Sequence, residues 1–298
     1  MLGRVTVVGC GLIGGSLVKS LRAKKAAQGI GAIDREEVLV AARPYLDRAA
    51  TPGTPAAREM VGESDLVVLA TPVASIVADL AGILDAMGPD GVVTDAGSVK
   101  RPMWEAVLRH EKRARFVGGH PMTGREVGGF ASSAPNLFEH AHWFIVEGPS
   151  AGQRVADAVA VARVGDLVGA LGAEPVAIDA AAHDRAMAYV SHAPQLVASA
   201  LYGVAARAGV LAAAGSGFRD TTRIAGGPTA MWRGIFDANR QAIATALAEI
   251  LDPLVRARDA LAAGDEAGLA AALSLLEAAQ SAKNAMLAAP PPAREKEP

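Results

Sequence analysis

Short, wholly apolar runs alternate with longer amphipathic stretches through the first 178 residues of the chain. The apolar runs predict strands at residues 4–8, 65–70, 91–95, 116–119, 142–147 and 174–178. The stretches between them predict helices at residues 16–25, 73–87, 101–112 and 153–171. Because strands that are apolar on both faces occur in parallel sheets covered by helices, this half predicts a doubly wound, mostly parallel sheet of the α/β class.

The strand pattern ends near residue 178. Residues 180–286 carry helical apolar spacing, with breaks at Gly209, residues 215–217 and residues 226–228. We therefore predict two domains, an α/β domain over residues 1–178 and an all-α domain over residues 179–288. Residues 289–298, prolines followed by alternating charges, predict a disordered tail.

Composition narrows the classes of function. The 298 residues have a net charge of −2, so no basic field favours nucleic acid or anionic lipid. The single cysteine, Cys10, excludes an internal disulfide and a cysteine-based zinc site, and we expect no metal. No signal-peptide pattern follows Met1, and polar residues interrupt the apolar stretch 186–206, so we expect a cytoplasmic protein without a membrane span.

A G-x-G-x-x-G motif, Gly9-Cys10-Gly11-Leu12-Ile13-Gly14, joins the first predicted strand to the first predicted helix. Gly9 suits the tight turn, Gly11 lets the backbone approach a pyrophosphate, and Gly14 lets the helix pack on the strand. The helix N-terminus adds N–H groups and positive potential. The motif predicts a Rossmann-like dinucleotide-binding domain, with Leu12 and Ile13 also in the cofactor site.

The cofactor type depends on where the second strand ends. Asp34 lies twenty residues after Gly14, where a carboxylate would bind both ribose hydroxyls and favour NAD. Alternatively, residues 38–42 form the strand, and Arg43 at its end would bind the 2′-phosphate of NADP. Arg35, beside Asp34, also leaves NADP open. Thr71 and Pro72 follow another apolar run and should line the same cleft.

His120 stands out in the segment Gly118-Gly119-His120-Pro121-Met122-Thr123-Gly124. Glycines on both sides and a proline behind it predict a loop that presents the imidazole rather than burying it. Ser98 follows the strand at residues 91–95, so both side chains should leave the same sheet edge near the nicotinamide.

Two segments of the helical half suit a ligand. Pro194 should open the helix around His192, although a buried structural histidine is the alternative. Arg219 and Arg223, four residues apart, could bind a carboxylate with Asp220 orienting one of them; exposed surface charge is the alternative. Together with His120, these residues predict hydride transfer involving a carboxylate-bearing alcohol.

Several of these segments resemble the prephenate/arogenate dehydrogenase family of tyrosine biosynthesis. The resemblance runs from about residue 4 to about residue 285 and rests on residues 95–100, 118–122, 136–139, 191–194, 217–225 and 231–233. It implies oxidative decarboxylation of prephenate to 4-hydroxyphenylpyruvate, with hydride transfer to NAD. It also implies that His120 takes the proton of the ring hydroxyl and that Ser98 supports this contact.

The resemblance extends to the substrate and to assembly. Arg223 would bind a substrate carboxylate, His192 would line the pocket, and Glu126 would lie near its mouth. Arg125 departs from the threonine common in relatives; it could favour the doubly acidic prephenate or pair with Glu126. The helical domain would form a homodimer, and we expect neither a fused chorismate mutase nor a regulatory domain. The alternatives are an NADP-linked arogenate or dual-specificity cyclohexadienyl dehydrogenase, a dehydrogenase of the same architecture acting on another hydroxy acid or imino acid, and a non-catalytic dinucleotide sensor.

Overall fold

The computed structural model describes residues 1–125 and 127–288. The chain divides into two compact units, Met1–Ile243 and a second that begins at Ala244. The predicted tail over residues 289–298 lies outside the described residues. None of the described helices is both long and apolar enough to cross a membrane.

An eight-stranded sheet forms the centre of the first unit. Its strands are β1 (Leu2–Val8), β2 (Ala27–Ile33), β3 (Arg48–Ala50), β4 (Leu66–Leu69), β5 (Val92–Asp95), β6 (Phe116–Pro121), β7 (His142–Val146) and β8 (Glu174–Ile178). They lie in the order β3-β2-β1-β4-β5-β6-β7-β8. Every neighbouring pair is parallel except β6 and β7. The first six strands follow the dinucleotide-binding order, with a switch point between β1 and β4, so the predicted Rossmann-like fold is confirmed.

Twelve α-helices, with several short 3-10 and π-helical turns, form the helical part of the described residues. In the first half they are α1 (Leu12–Ala23), α2 (Glu36–Ala42), α3 (Pro55–Gly62), α4 (Val73–Ala86), α5 (Arg101–Val107) and α6 (Ala158–Leu171). In the second half they are α7 (Ala180–Met187), α8 (Ala193–Arg207), α9 (Ser216–Thr222), α10 (Thr229–Ala238), α11 (Arg240–Ala263) and α12 (Glu266–Ala288). After Ile178 every described element is helical, as predicted. The domain boundary near residue 178 remains a prediction, since the compact units divide after Ile243.

The central strands are apolar because helices cover both faces of the sheet. All four residues of β4 are buried, and Val5, Val7 and Val8 of β1 lie beside them. Each such side chain stabilises the fold by about 1.5–3 kcal/mol relative to its exposed state. This continuous burial explains why the strands read as apolar runs without alternation.

Two sequence-based expectations are wrong. The alternative strand at residues 38–42 is part of α2, in which Leu39 and Ala42 face the core one helical turn apart. The second strand is β2. Its two glycines have low strand propensity, so the sequence pattern of this strand is weak. His120 also does not lie in a loop. β6 continues through Pro121 because it pairs with β7, and His120 lies opposite Phe144.

Candidate active site

We define Gly9–Gly14 as the nucleotide turn. Each of its three glycines has a separate structural role. Gly9 has a φ of +92°, a conformation that favours glycine. A Cβ on Gly14 would lie 1.8 Å from the carbonyl oxygen of Gly9, so helix and strand meet too closely for a side chain. A Cβ on Gly11 would meet nothing within 4 Å. The turn is therefore closed behind Gly14 and open at Gly11, where a ligand can approach the backbone.

Four more of the predicted cofactor residues lie within this turn or at the start of α4. Leu12 and Ile13 form the start of α1, whose first turn has no acidic residue to repel an anion. Thr71 lies against the turn, since its Cγ2 would be 2.7 Å from a Cβ on Gly9, and Pro72 follows at the start of α4. The sheet therefore brings these residues to one edge, as predicted from their positions after strands.

Asp34 directly follows β2 at that edge. One carboxylate oxygen accepts a hydrogen bond from the Cys10 backbone N–H at 2.5 Å, and the other accepts from Arg35 N–H at 2.7 Å. Burial, and secondarily the charge of Asp34, raises the pKa of the Cys10 thiol to about 12. Cys10 is therefore a neutral filler in the turn. The Arg35 guanidinium lies on Glu37 at 3.1 Å, and Arg43 follows the whole of α2.

A buried ion pair lies beneath the carboxyl ends of β5 and β6. Asp95, the last residue of β5, contacts Lys100, and both side chains are fully buried. The Lys100 ammonium also donates to the Gly119 carbonyl at 2.6 Å, and Asp95 accepts from Gly119 N–H at 3.1 Å. The pair therefore holds the backbone of β6 at the residue before His120. Burial lowers the pKa of Lys100, and the Asp95 carboxylate opposes this shift.

His120 also belongs to a second series of hydrogen bonds. Its Nδ1 lies 2.9 Å from Nε2 of His183, and Nδ1 of His183 lies 2.8 Å from a carboxylate oxygen of Asp184. Both partners are buried residues of α7. Burial holds the pKa of His120 well below 6.5, with further lowering from His183, Lys100 and His192. We refer to Asp95, Lys100, His120, His183 and Asp184 as the histidine network.

Sequence reasoning assigned no role to four members of this network. Asp95 ends the strand predicted at residues 91–95 and, with Lys100, belongs to a segment that carries the resemblance, whereas His183 and Asp184 lie in an alanine-rich helix with no motif. A buried His-Asp dipeptide is the only local signal, and it is weak without the fold.

The second predicted histidine, His192, lies in a π-helical turn, Ala188–His192, just before Pro194 enters α8. The predicted opening of the helix is therefore present. His192 is fully buried, and its Nδ1 lies 3.2 Å from the Asn239 amide nitrogen, which also donates to the Asp184 carbonyl at 2.7 Å. Burial lowers the pKa of His192 to about 4. Among the described residues, neither His192 Nε2 nor the neighbouring Trp232 Nε1 has a hydrogen-bond partner.

The predicted residues Arg219, Asp220 and Arg223 lie on α9 and in the turn that follows it. Arg219 and Asp220 are exposed on α9, and Arg223 is exposed at the start of the 3-10 turn Arg223–Gly226. This turn ends at Gly227, where a Cβ would lie 2.6 Å from Trp232 Nε1, and the Trp232 ring stands edge-on to His192. The end of this segment therefore lies against Trp232, which in turn contacts His192.

Three predicted residues have less defined positions relative to the network. Ser98 is half-buried in the connection between β5 and α5. Arg125 is exposed and donates to the Ser132 carbonyl at 3.1 Å. Glu126 lies outside the described residues, so its predicted place near the pocket mouth stays a prediction.

Comparison with known families agrees with this architecture. Residues 17–174 match the prephenate dehydrogenase nucleotide-binding domain, and residues 179–275 match the prephenate dehydrogenase dimerization domain. Prephenate dehydrogenase of Lactococcus lactis subsp. cremoris is 30% identical over 249 residues, 79% of this chain. The match spans only 65% of that relative's length. Cyclohexadienyl dehydrogenase of Zymomonas mobilis is 27% identical over 88% of this chain and 89% of the relative.

Solved structures give the same result. Prephenate dehydrogenase from A. aeolicus, in complex with hydroxyphenyl propionate and NAD+, is similar at a TM-score of 0.80 and 26% identity. The similarity covers 96% of this chain and 99% of that one. With both domain matches in order along its length, the chain belongs to the prephenate dehydrogenase family.

Proposed function

We propose that this protein is a prephenate dehydrogenase of tyrosine biosynthesis. It would convert prephenate to 4-hydroxyphenylpyruvate and carbon dioxide, with transfer of a hydride to NAD. One observation carries the proposal most directly: His120, an imidazole neutral at pH 7, lies at the carboxyl edge of the sheet that carries the nucleotide turn. The family membership supplies the reaction class, and this geometry supplies a base.

The nucleotide turn fits a dinucleotide, and Asp34 favours NAD over NADP. Gly11 leaves room for the pyrophosphate, and the start of α1 offers backbone N–H groups. Asp34 would accept hydrogen bonds from the ribose hydroxyls, and its charge would repel a 2′-phosphate. The neighbouring Arg35 forms an exposed ion pair with Glu37, which offsets part of its positive charge. Bound NAD would supply the acceptor for the hydride leaving the hydroxyl-bearing ring carbon.

His120 would act as the general base for the ring hydroxyl and later return the proton. It accepts this proton as the ring oxygen gains double-bond character, with Ser98 supporting the contact. The ring carboxylate then leaves as carbon dioxide, and its electron pair completes the aromatic ring. The proton returns from His120 to the ring oxygen, so the step consumes and releases no net proton. The low pKa of His120 keeps it in the accepting form at neutral pH.

Substrate carboxylates would bind on the helical side. Arg223 is the proposed anchor, with Arg219, Asp220 and Glu126 shaping the entrance. His192 Nε2 and Trp232 Nε1 are buried and have no hydrogen-bond partner among the described residues, and a substrate oxygen would satisfy them. Such groups are costly without a ligand, which supports a pocket for a polar substrate beside them.

We further propose a homodimer formed through the helical domain. The match to a dimerization domain supports it. In the unit that begins at Ala244, exposed apolar side chains repeat along both helices, namely Leu251, Leu254, Val255, Leu261, Leu269, Leu273 and Leu276. A surface of this kind is typical of a subunit interface.

Steady-state kinetics with four pairings, prephenate or arogenate with NAD or NADP, each with and without tyrosine, test the proposal. We expect prephenate with NAD to give the highest kcat/KM. Comparable rates with arogenate would instead favour a cyclohexadienyl dehydrogenase, the alternative supported by the near full-length match to the Zymomonas mobilis relative. Turnover of a different hydroxy acid alone, or NAD binding without turnover, would overturn the proposal.

A further inference from the structure

We infer that Asp184 and His183 are positioning residues that give the two site histidines opposite tautomers. His120 carries its hydrogen on Nδ1 and keeps Nε2 as the proton acceptor, whereas His192 carries its hydrogen on Nε2 and acts as a donor. The catalytic meaning of this assignment rests on the proposed function; the tautomers themselves rest on the hydrogen bonds described below.

The assignment begins at the carboxylate of Asp184. One of its oxygens accepts from the Lys100 backbone N–H at 2.7 Å, and the other accepts from Arg101 N–H at 2.8 Å. Backbone N–H groups can only donate, so both carboxylate oxygens act as acceptors here. An ionised carboxylate can only accept, so the contact at 2.8 Å requires His183 to donate from Nδ1.

The next contact fixes His120. Burial lowers the pKa of His183, so its ring is neutral and holds a single hydrogen, already assigned to Nδ1. Its Nε2 therefore accepts, and the nitrogen 2.9 Å away, Nδ1 of His120, must donate. The reverse arrangement would point a lone pair of His183 at the Asp184 carboxylate. His120 is left with an unprotonated Nε2, the form that a base requires.

Asp184 reaches the second histidine through its backbone. The Asn239 amide nitrogen donates one hydrogen to the Asp184 carbonyl, which identifies that atom as nitrogen rather than oxygen. Its other hydrogen points to Nδ1 of His192, which must accept. The ring hydrogen of His192 therefore lies on Nε2, the buried nitrogen without a partner among the described residues. Asp184 thus leaves His120 Nε2 as a hydrogen-bond acceptor and His192 Nε2 as a hydrogen-bond donor.

Two substitutions at His183 separate positioning from packing. His183→Phe keeps a buried aromatic ring but removes the acceptor for His120. His183→Gln keeps a carbonyl oxygen that can accept from His120 Nδ1. We expect His183→Phe to lower kcat about 10–100-fold with little change in the KM for NAD, and His183→Gln to recover most of the rate. His110→Gln, beyond the far end of α5, is the control and should leave kcat unchanged.

Nitrogen-15 NMR of histidine-labelled protein reads the tautomers without substrate. Spectra of His120→Asn and His192→Gln assign the two rings by the loss of their signals. The inference expects a protonated Nδ1 on His120 and a protonated Nε2 on His192 in the wild type, with the His120 signals shifted or averaged in His183→Phe.

A protonated Nε2 on wild-type His120 would overturn the inference, as would equal kcat in His183→Phe and the wild type. If His183→Phe does not fold, the wild-type spectrum and the kcat of His183→Gln still test the inference. If the expected tautomers are found and prephenate is not turned over, only the proposed function fails.

Discussion

The nucleotide turn and the histidine network are built in different ways. The turn consists of six consecutive residues whose geometry is set by the backbone of one strand, one helix and three glycines. The network joins side chains from the end of β5, the start of α5, β6 and α7. In the turn each residue acts almost separately, whereas in the network every group depends on its neighbours for charge and orientation. Substitutions should therefore have local, separable effects in the turn and large, shared effects in the network.

The largest expected effect comes from removing the proposed base. His120→Asn should lower kcat about 10²–10⁴-fold, the usual range for loss of general base catalysis. Steady-state kinetics with prephenate and NAD measure it. His110→Asn is the matched control, because His110 pairs with Asp85 at 3.1 Å, away from the network. A His120→Asn rate within a few-fold of the wild type would remove His120 from the proposed role.

Substitutions in the buried ion pair of Asp95 and Lys100 should show how strongly these two charges depend on each other. Lys100→Met leaves the fully buried Asp95 carboxylate without its cation and should cost about 3–5 kcal/mol of unfolding free energy. The double variant Asp95→Asn/Lys100→Met removes both charges and should recover much of that loss. Urea unfolding gives both values. A single variant within 1 kcal/mol of the wild type would show that the pair is not coupled as described.

Acid should destabilise the region around His192, which Asn239 links to Asp184 of the histidine network. His192 has a folded pKa of about 4 against an ordinary 6.5, so the unfolded chain binds the proton first as the pH falls. The free energy of unfolding that neutral His192 contributes is fully present above pH 6.5. It falls by about 3 kcal/mol as the pH is lowered to 4. Asp184 and His183 face this ring, and Asp184 limits the shift. His192→Gln should lose correspondingly less stability between pH 7 and pH 4 in urea unfolding; identical pH slopes would contradict the assignment.

The smallest effects should be found in the turn, and they should separate by residue. Gly14→Ala pushes a methyl group against the Gly9 carbonyl and should cost about 1–3 kcal/mol of stability. Gly11→Ala has open space and should change stability by less than about 0.5 kcal/mol, while raising the KM for NAD. Thermal unfolding and NAD kinetics distinguish the two. Equal losses of stability would mean that the glycines do not have separate tasks.

The same contrast explains what could be predicted from the sequence. The fold class and most strands were predicted because fully buried strands leave unbroken apolar runs, and the turn was predicted because its residues are consecutive. β2 was ambiguous because its glycines weaken the strand pattern, and Asp34 was placed only by spacing. The position of His120 within β6 depends on antiparallel pairing with β7, which no local pattern shows.

His183 and Asp184 could not be predicted for a related reason. Their partners, His120 and the backbone N–H groups of Lys100 and Arg101, are distant in sequence and meet only when α7 packs beside α5. Hydrophobic periodicity reports which face of a helix is buried. It does not report which polar group the buried face will meet.

The most direct test of the proposed function is the stoichiometry of the reaction with prephenate and NAD. We expect equal amounts of NADH, carbon dioxide and 4-hydroxyphenylpyruvate from the wild-type protein, with none of the three formed on the same timescale by His120→Asn. Formation of NADH without carbon dioxide, or no turnover of prephenate by the folded wild-type protein, would contradict it.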